Sequence, residues 1–219
     1  MNNRVLIVAV HPDDETLGCG GTLLRHKASG DEIHWIICTS CDSKDKTYES
    51  RKKEIAEVSK LYDFNSTHNL DLKATYVDEY SISDLVNKFS KIINQVQPNI
   101  IYLPFKGDVH SDHRKIFEAS YSCTKSFRYP YIEKIYMIET ISETEFAPSL
   151  KQDSFIPNTF VDISKHIEEK IKIMNVYKSE LGQHPFPRNE KNIRALATVR
   201  GATAGCDYAE SFILLKEIV

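Results

Sequence analysis

The sequence has little excess charge and no long apolar run. Its 28 Lys and Arg residues against 31 Asp and Glu residues give a net charge of -3, which argues against the broad basic surface of a nucleic-acid-binding domain. No basic N-terminal segment precedes an apolar signal region, and no apolar run approaches the roughly 20 residues of a transmembrane helix. We therefore expect a soluble, cytoplasmic protein with no transmembrane segment and no nucleic-acid partner.

Cysteine is also scarce. The chain has five cysteines in 219 residues, an odd number that favours free thiols in a reducing compartment over a disulfide framework. Cys38 and Cys41 are spaced like half of a zinc site, but no second pair follows them. We interpret both as free thiols.

The composition is that of an ordinary globular protein. Hydrophobic residues make up 41% and charged residues 27% of the chain, which is long enough to bury a substantial core. The sequence shows no internal repeat, no low-complexity tract and no linker. Its least regular stretch, Ser142 to Pro157, predicts an excursion within one domain. We therefore expect residues 1–219 to form a single domain.

Short apolar runs alternate with segments of helical periodicity. Val5 to Val10 has the length and β-branched content of a buried strand, and Ser83 to Gln97 carries apolar residues on one helical stripe. Repeated units of this kind predict an α/β sandwich with a mainly parallel sheet. The predicted strands lie at 5–10, 33–38, 74–77, 100–103, 135–138 and 212–215. The predicted helices lie at 16–29, 48–62, 83–97, 112–125, 164–181 and 191–203.

Two clusters of chemically active residues follow predicted strands. The run His11-Pro-Asp-Asp-Glu15 follows the first strand, and Asp108, His110, Asp112 and His113 follow the fourth. Because ligands bind at the carboxyl ends of parallel strands, we expect both clusters to face one crevice. The first cluster alone could also be a turn with helix-capping residues, since Pro and Asp favour such places. The presence of the second cluster weakens that interpretation.

These residue types suit metal-assisted hydrolysis. His11, Asp14 and His113 supply two imidazoles and a carboxylate, a set that can hold catalytic Zn²⁺ and leave one position open for water. The same set also suits Fe²⁺. Neighbouring residues of an extended segment point in opposite directions, so Asp13 is free to act as the general base.

His110 and Asp112 lie near this ligand set but outside it. His110 could donate a proton or a charged hydrogen bond to a developing oxyanion, while Asp112 fixes its tautomer and keeps it cationic. Taken alone, each histidine of the second cluster would more often be an ordinary surface or capping residue. The catalytic interpretation depends on the two clusters together.

The order of these motifs resembles the PIG-L/LmbE-like family of deacetylases. The resemblance is carried by His-Pro-Asp-Asp-Glu-Thr-Leu-Gly-Cys-Gly-Gly at 11–21 and His-Ser-Asp-His at 110–113, and it extends over the whole chain. It implies a Rossmann-like, three-layer sandwich. It also implies a zinc-dependent hydrolase that removes the acetyl group from an N-acetylglucosamine-type conjugate and that assembles as a homo-oligomer.

The resemblance further implies roles for individual residues. By position, the family's metal ligands correspond to His11, Asp14 and His113, and its general base corresponds to Asp13. The histidine that stabilises the oxyanion corresponds to His110, and the residue that supports it corresponds to Asp112. An arginine near the substrate's sugar corresponds to Arg51. The closing segment Gly201 to Phe212 is similar to the family's C-terminal signature, in which we expect Glu210 to be structural.

Two other functions stay open at this point. One is an amidase that removes a larger N-acyl group from a glucosaminyl conjugate, and the other is a non-catalytic metal- or nucleotide-binding module. A binding module needs neither Asp13 nor the pair of His110 and Asp112, whereas hydrolysis needs both. A dinucleotide Gly-x-Gly-x-x-Gly pattern is absent, so we expect Gly18, Gly20 and Gly21 to permit close backbone packing behind the metal.

The sequence does not identify the group attached to the sugar. Arg188, Lys191 and Arg194 hint at an anionic aglycone, although exposed helices carry such charges routinely.

Overall fold

The computed structural model describes residues 2–41 and 44–219 and contains a seven-stranded sheet. The strands are β1 (Arg4–Ala9), β2 (Glu32–Ser40), β3 (Ser66–Lys73), β4 (Ile100–Leu103), β5 (Lys134–Ile138), β6 (Thr159–Asp162) and β7 (Ala209–Glu217). Their order across the sheet is β3-β2-β1-β4-β5-β7-β6. The first five strands in this order are parallel, and β7 runs antiparallel to both β5 and β6. The predicted mainly parallel sheet is confirmed.

Helices cover both faces of the sheet. They are α1 (Asp14–Ala28), α2 (Tyr48–Tyr62), α3 (Ile82–Val96), α4 (Ser111–Ser122), α5 (Ile167–Met174) and α6 (Glu190–Ala204), with short 3₁₀ turns at Val77–Glu79 and Lys151–Asp153. Along β1, Val5 and Ile7 pack in an apolar cluster with α1, α2, α5 and α6, whereas Leu6 and Val8 pack with α3 and α4. This alternation produces the predicted three-layer sandwich. None of the helices in the described part of the chain combines the length and the apolar composition needed to span a lipid bilayer.

Helix α1 leaves the carboxyl end of β1 and packs very closely against its neighbours. A Cβ atom at Gly18 would lie 2.6 Å from the side chain of Ile138, and one at Gly21 would lie 2.7 Å from Ile163. The Glu210 carboxylate accepts a hydrogen bond of 2.9 Å from the backbone N–H of Gly21 and ties α1 to β7. The predictions of close packing at these glycines and of a structural role for Glu210 are confirmed.

The third strand lies earlier than predicted. The strand expected at 74–77 is a turn that leads into a 3₁₀ turn, and β3 instead spans Ser66–Lys73. It is an edge strand with mostly exposed or half-buried polar side chains, and its buried apolar residues are Leu70 and Leu72. A strand that buries so little gives a weak apolar signal in the sequence.

Two further differences lie near the C-terminal end of the sheet. The edge strand β6 (Thr159–Asp162) is not predicted, because it has only four residues and none of them is fully buried. The helix expected at 164–181 is limited to α5, Ile167–Met174. Beyond it the chain turns, and the hydroxyl of Tyr177 donates a hydrogen bond to Glu15 beside the crevice.

Candidate metal centre and active site

The first motif forms a tight turn between β1 and α1. The backbone N–H of His11 donates to Asp14 Oδ2 at 2.8 Å, and the backbone N–H of Asp14 donates to the carbonyl of His11 at 3.3 Å. Within this turn Asp13 has a φ of 136°, which residues other than glycine rarely adopt. Such strain persists only where the surroundings enforce it, and it is concentrated at functional sites.

Glu15 supports the strained turn from behind. Its side chain is completely buried and accepts hydrogen bonds from the backbone N–H of Asp13 at 3.2 Å, from the Tyr177 hydroxyl at 2.9 Å and from the Thr16 hydroxyl at 2.6 Å. Burial raises the pKa of Glu15 to about 7 although these hydrogen bonds act in the opposite direction. The Glu15 side chain therefore holds Asp13 in position by its hydrogen bond to the backbone N–H of Asp13.

Three donor atoms from this turn and from α4 form a compact triangle. His113 Nε2 lies 3.3 Å from Asp14 Oδ2 and 3.4 Å from His11 Nδ1, and the last two atoms lie 3.8 Å apart. A tetrahedral Zn²⁺ site with ligand distances of about 2.0–2.2 Å separates its ligand atoms by about 3.4 Å. The donor set and its spacing therefore fit a metal ion with three protein ligands.

Each of the two histidines in the triangle contacts a carboxylate through its other nitrogen. His113 Nδ1 lies 2.8 Å from Asp108 Oδ2, and His11 Nε2 lies 3.3 Å from Asp112 Oδ2. Carboxylates in such positions fix the tautomer and the orientation of a metal-binding imidazole. Nε2 of His113 and Nδ1 of His11 are thereby directed to the centre of the triangle, where they would bind a metal ion.

Asp112 lies beside His110, as predicted, but its carboxylate makes a shorter contact with another histidine. Its carboxylate lies 4.0 Å from His110 Nδ1 and is closer to His11. His110 instead accepts a hydrogen bond at Nδ1 from the backbone N–H of Asp112, at 3.1 Å, as the N-cap of α4. Burial and the neighbouring His11 lower the pKa of His110. A nitrogen that accepts a hydrogen bond carries no proton, so Nε2 is the ring nitrogen of His110 that can donate to the cavity.

A second group of potential ligands is less suitable for a metal. His11, His110 and Asp112 bring donor atoms within 4.8 Å of one another. However, the carboxylate of Asp112 already accepts hydrogen bonds from the backbone N–H of Thr75 at 2.7 Å and of Val77 at 3.3 Å. Since Nδ1 of His110 is also occupied, the triangle of His11, Asp14 and His113 is the better metal site.

The electrostatics of the triangle suit an ion of positive charge. Burial would raise the pKa of Asp14, but His113 and His11 outweigh it and hold the value at about 2. Burial would lower the pKa of His113, but Asp14 and Asp108 raise it well above its ordinary value. Without a metal, a proton is therefore held among His113 and the two carboxylates. A metal ion that binds here must displace that proton.

Asp13 has a buried carboxylate that accepts no hydrogen bond from the described residues. The nearest cationic group is Arg188, whose Nε lies 3.9 Å from Asp13 Oδ2. Burial and the adjacent Asp14 raise the pKa of Asp13, and Arg188 acts in the opposite direction. A carboxylate that lines the cavity without a hydrogen-bond partner is well placed to accept a proton from a reacting molecule.

A cavity of about 310 Å³ opens beside the metal triangle. The residues that line it are His11, Asp13, Asp14, Leu17, Ala74, Thr75, His110, Ser142, Glu143, Glu180 and Arg188. Glu143 and Glu180 are not predicted from the sequence. Glu143 belongs to the irregular stretch that follows β5, so its position beyond the carboxyl end of a predicted strand is a signal that could have indicated it.

Arg51 is not part of the cavity wall. Its guanidinium pairs with the Glu180 carboxylate and lies 3.2 Å from Glu54 Oε2. Glu180 also accepts a hydrogen bond of 3.1 Å from Arg188 Nη2. Arg51 therefore reaches the cavity only through Glu180, and direct contact with a sugar stays a prediction.

The pairing of Asp108 with His113 leads to a test. Asp108 is completely buried, and its second carboxylate oxygen accepts a hydrogen bond of 2.7 Å from the Thr144 hydroxyl. Asp108→Asn removes the charge that makes His113 a stronger ligand, so we expect Zn²⁺ affinity to fall by about 10- to 100-fold. Competition with a chromophoric chelator measures this change. Asp78→Asn, at an exposed position, is the matched control, and wild-type affinity in the Asp108 variant would contradict the assignment.

Comparison with known proteins identifies the family. The profile described as PIG-L: GlcNAc-PI de-N-acetylase matches residues 6–124, more than half of the 219 residues. The chain belongs to the PIG-L family. Both motifs of the metal triangle lie inside the match to the PIG-L profile, whereas Glu143, Glu180 and Arg188 lie beyond it.

Three similar proteins extend the likeness beyond residue 124. The diacetylchitobiose deacetylase of Thermococcus kodakarensis is 23% identical over 94% of this chain and 81% of its own length. The structure of a conserved protein from Thermus thermophilus has a TM-score of 0.81 at 25% identity and covers 99% of this chain and 96% of its own. An N,N'-diacetylchitobiose deacetylase from Pyrococcus horikoshii has a TM-score of 0.77 at 21% identity, with 97% and 83% covered. The PIG-L chain therefore has the same fold as these proteins over almost its whole length.

Proposed function

We propose that this protein is a metal-dependent N-deacetylase that hydrolyses the acetamide of an N-acetylglucosamine-type sugar conjugate and releases acetate and a free amine. The observation that carries the proposal is the carboxylate of Asp13, which accepts no hydrogen bond from the described residues and lies beside the triangle of His11, Asp14 and His113. Family membership and the deacetylase names of two similar proteins support it. We also propose that residues 1–219 act as one domain.

His11, Asp14 and His113 are the residues that would hold the metal. Zn²⁺ is the ion we propose, with Fe²⁺ as the alternative that the same donors suit. When bound, such an ion lowers the pKa of water to about 7 and polarises a carbonyl group. Asp108 and Asp112 keep the two imidazoles in the orientation that binding requires.

The other residues of the site move protons and stabilise charge. Asp13 accepts a proton from the water that attacks the acetyl carbon. His110 donates a hydrogen bond from Nε2 to the oxygen that becomes negative in the tetrahedral intermediate. The C–N bond then breaks, and Asp13 returns its proton to the departing amine nitrogen. Arg51 acts in this scheme by positioning Glu180 at the cavity wall.

The surroundings of the protein are also part of the proposal. The five cysteines are free in the structure, which supports our proposal of a reducing, cytoplasmic location. Assembly as a homo-oligomer stays a prediction, and light scattering of the purified protein measures it.

Acetate release across a panel of N-acetylglucosaminides tests the proposed function. We expect the Zn²⁺-loaded protein to release one acetate for each free amine formed, the chelated protein to be inactive, and Zn²⁺ to restore activity. N-butanoyl counterparts of the same conjugates test the alternative of a larger acyl group, and we expect them to react more slowly. A metal-loaded protein that releases no acetate from any conjugate would contradict the proposal.

A further inference from the structure

We propose that Glu143 selects sugar conjugates whose aglycone is uncharged and carries hydroxyl groups, and that it disfavours conjugates with an anionic aglycone. This inference rests on the proposed function and names the substrate class of the same site. It replaces the anionic aglycone that the basic residues hint at in the sequence.

Glu143 is fixed in the cavity wall by its backbone. Its N–H donates to the carbonyl of Thr140 at 3.2 Å, and its carbonyl accepts from the N–H of Val109 at 3.2 Å, so it is attached to the segment that leads to His110. Its carboxylate accepts one hydrogen bond, of 3.3 Å, from the Ser142 hydroxyl. In the part of the chain that the structure describes, no lysine or arginine pairs with this carboxylate.

The two guanidiniums near the cavity are already neutralised. Arg188 donates from Nη2 to Glu180 at 3.1 Å, from Nε to the backbone carbonyl of Glu180 at 2.9 Å and from Nη1 to the Ser142 hydroxyl at 2.9 Å. Arg51 pairs with Glu180 and with Glu54. Two cations therefore meet two carboxylates, so the charges of both guanidiniums are balanced within the protein.

The other basic residues that hint at an anionic aglycone lie elsewhere. Arg194 forms ion pairs of 2.7 Å with Glu168 and 2.8 Å with Glu190 on the outside of α6. Lys191 is exposed and does not line the cavity. Among the described acidic residues that line the cavity, Glu143 is therefore the one without an ion-pair partner.

A bound metal does not reverse this balance. The two positive charges of a divalent ion are matched by Asp14 and Asp13, which leaves Glu143 without a cationic partner among the described residues of the wall. Burial raises the pKa of Glu143, and His113 and His11 act in the opposite direction. Sugar hydroxyls donate to a carboxylate with charge-assisted hydrogen bonds. A carboxylate or phosphate of the substrate would be repelled in the same position, and Arg188, the guanidinium that lines the cavity, is already paired with Glu180.

A matched substrate pair tests the selectivity. The α-N-acetylglucosaminide of L-malate is anionic, and its diamide has nearly the same shape without the charge. We expect the wild-type protein to have a kcat/KM at least about tenfold higher for the diamide. A tenfold difference is what Coulomb's law gives for two negative charges, the Glu143 carboxylate and a malate carboxylate, at roughly 6 Å under an effective dielectric constant of about 40.

Glu143→Gln removes the charge and keeps the size of the side chain. We expect it to reduce the preference for the diamide by about tenfold, mainly because kcat/KM for the malate conjugate rises. Glu118→Gln, the same change on the exposed face of α4, is expected to keep the wild-type preference. A wild-type preference for the malate conjugate, or an unchanged preference in the Glu143 variant, would overturn the inference.

Binding separates this inference from the proposed function. Calorimetry with the Zn²⁺-loaded Asp13→Asn protein gives dissociation constants for both conjugates without turnover. Tighter binding of the diamide supports the role of Glu143 even if no acetate is released, a result that would contradict the deacetylase function alone. Acetate release together with equal or tighter binding of the malate conjugate overturns the role of Glu143 and leaves the deacetylase function intact.

Discussion

The Asp13→Asn protein is expected to bind Zn²⁺ like the wild type and to lose about 100- to 10,000-fold in kcat. None of the three donor atoms of the metal triangle belongs to Asp13, so the ligand set is unchanged. The carboxylate that would accept the proton of the attacking water is lost. Asparagine is a better substitution than alanine because it keeps the shape of aspartate at a position whose φ of 136° is strained for side chains in general. Acetate release and metal content are measured on the same sample.

Two further variants control this experiment. Asp13→Ala should lose activity to the same extent, with some loss of stability because alanine is strained at a positive φ. Asp78→Asn changes an exposed aspartate and should keep full activity. Full turnover by metal-loaded Asp13→Asn would exclude Asp13 as the base, and loss of metal from that variant would place Asp13 among the ligands instead.

The sequence predicts the centre of the site well because its chemistry is local. His11 to Asp14 form a single turn after β1, and His110 to His113 span the start of α4, so the spacing of each motif largely determines where its side chains lie. The parallel order of β1 and β4 then brings the two turns together at one edge of the sheet. The metal triangle follows from these few constraints.

The walls of the cavity cannot be predicted in the same way. Glu143, Glu180 and Arg188 come from irregular segments, and their positions depend on long-range hydrogen bonds such as that between Arg188 and Ser142. The same limit applies to Asp112, whose carboxylate could contact either His110 or His11 at the spacing given. The position of α4 relative to the turn after β1 places the carboxylate closer to His11 than to His110.

The strands also differ in how clearly the sequence predicts them. Strands β1 and β4 are buried on both faces, so their apolar runs are unmistakable in the sequence. Strands β3 and β6 lie at the two edges of the sheet and bury little. They pair with β2 and β7, and such pairing is not visible in a local sequence pattern.

Removal of a metal ligand should have a different signature from removal of the base. We expect His11→Ala to lose both Zn²⁺ and activity, with a fall in affinity larger than the 10- to 100-fold expected for Asp108→Asn, because a donor atom itself is lost. His11 is more suitable for this test than His113. Its side chain is 23% exposed, whereas that of His113 is completely buried between Asp108 and Asp14. Truncation of His113 would leave a cavity and two unpaired carboxylates, so unfolding could be confused with metal loss.

Comparison of His11→Ala with Asp13→Asn distinguishes the loss of a metal ligand from the loss of the general base. His68→Ala, on the edge strand β3, provides a histidine control that should keep both metal and activity. If His11→Ala retains stoichiometric Zn²⁺, His11 is not a ligand, and the metal would have to be held without its imidazole. If His11→Ala loses Zn²⁺ while Asp13→Asn retains it and both are inactive, the same short turn supplies one residue that holds the metal and another that moves the proton. That division follows from the geometry, because Nδ1 of His11 points to the metal triangle and the Asp13 carboxylate accepts no hydrogen bond from the described residues.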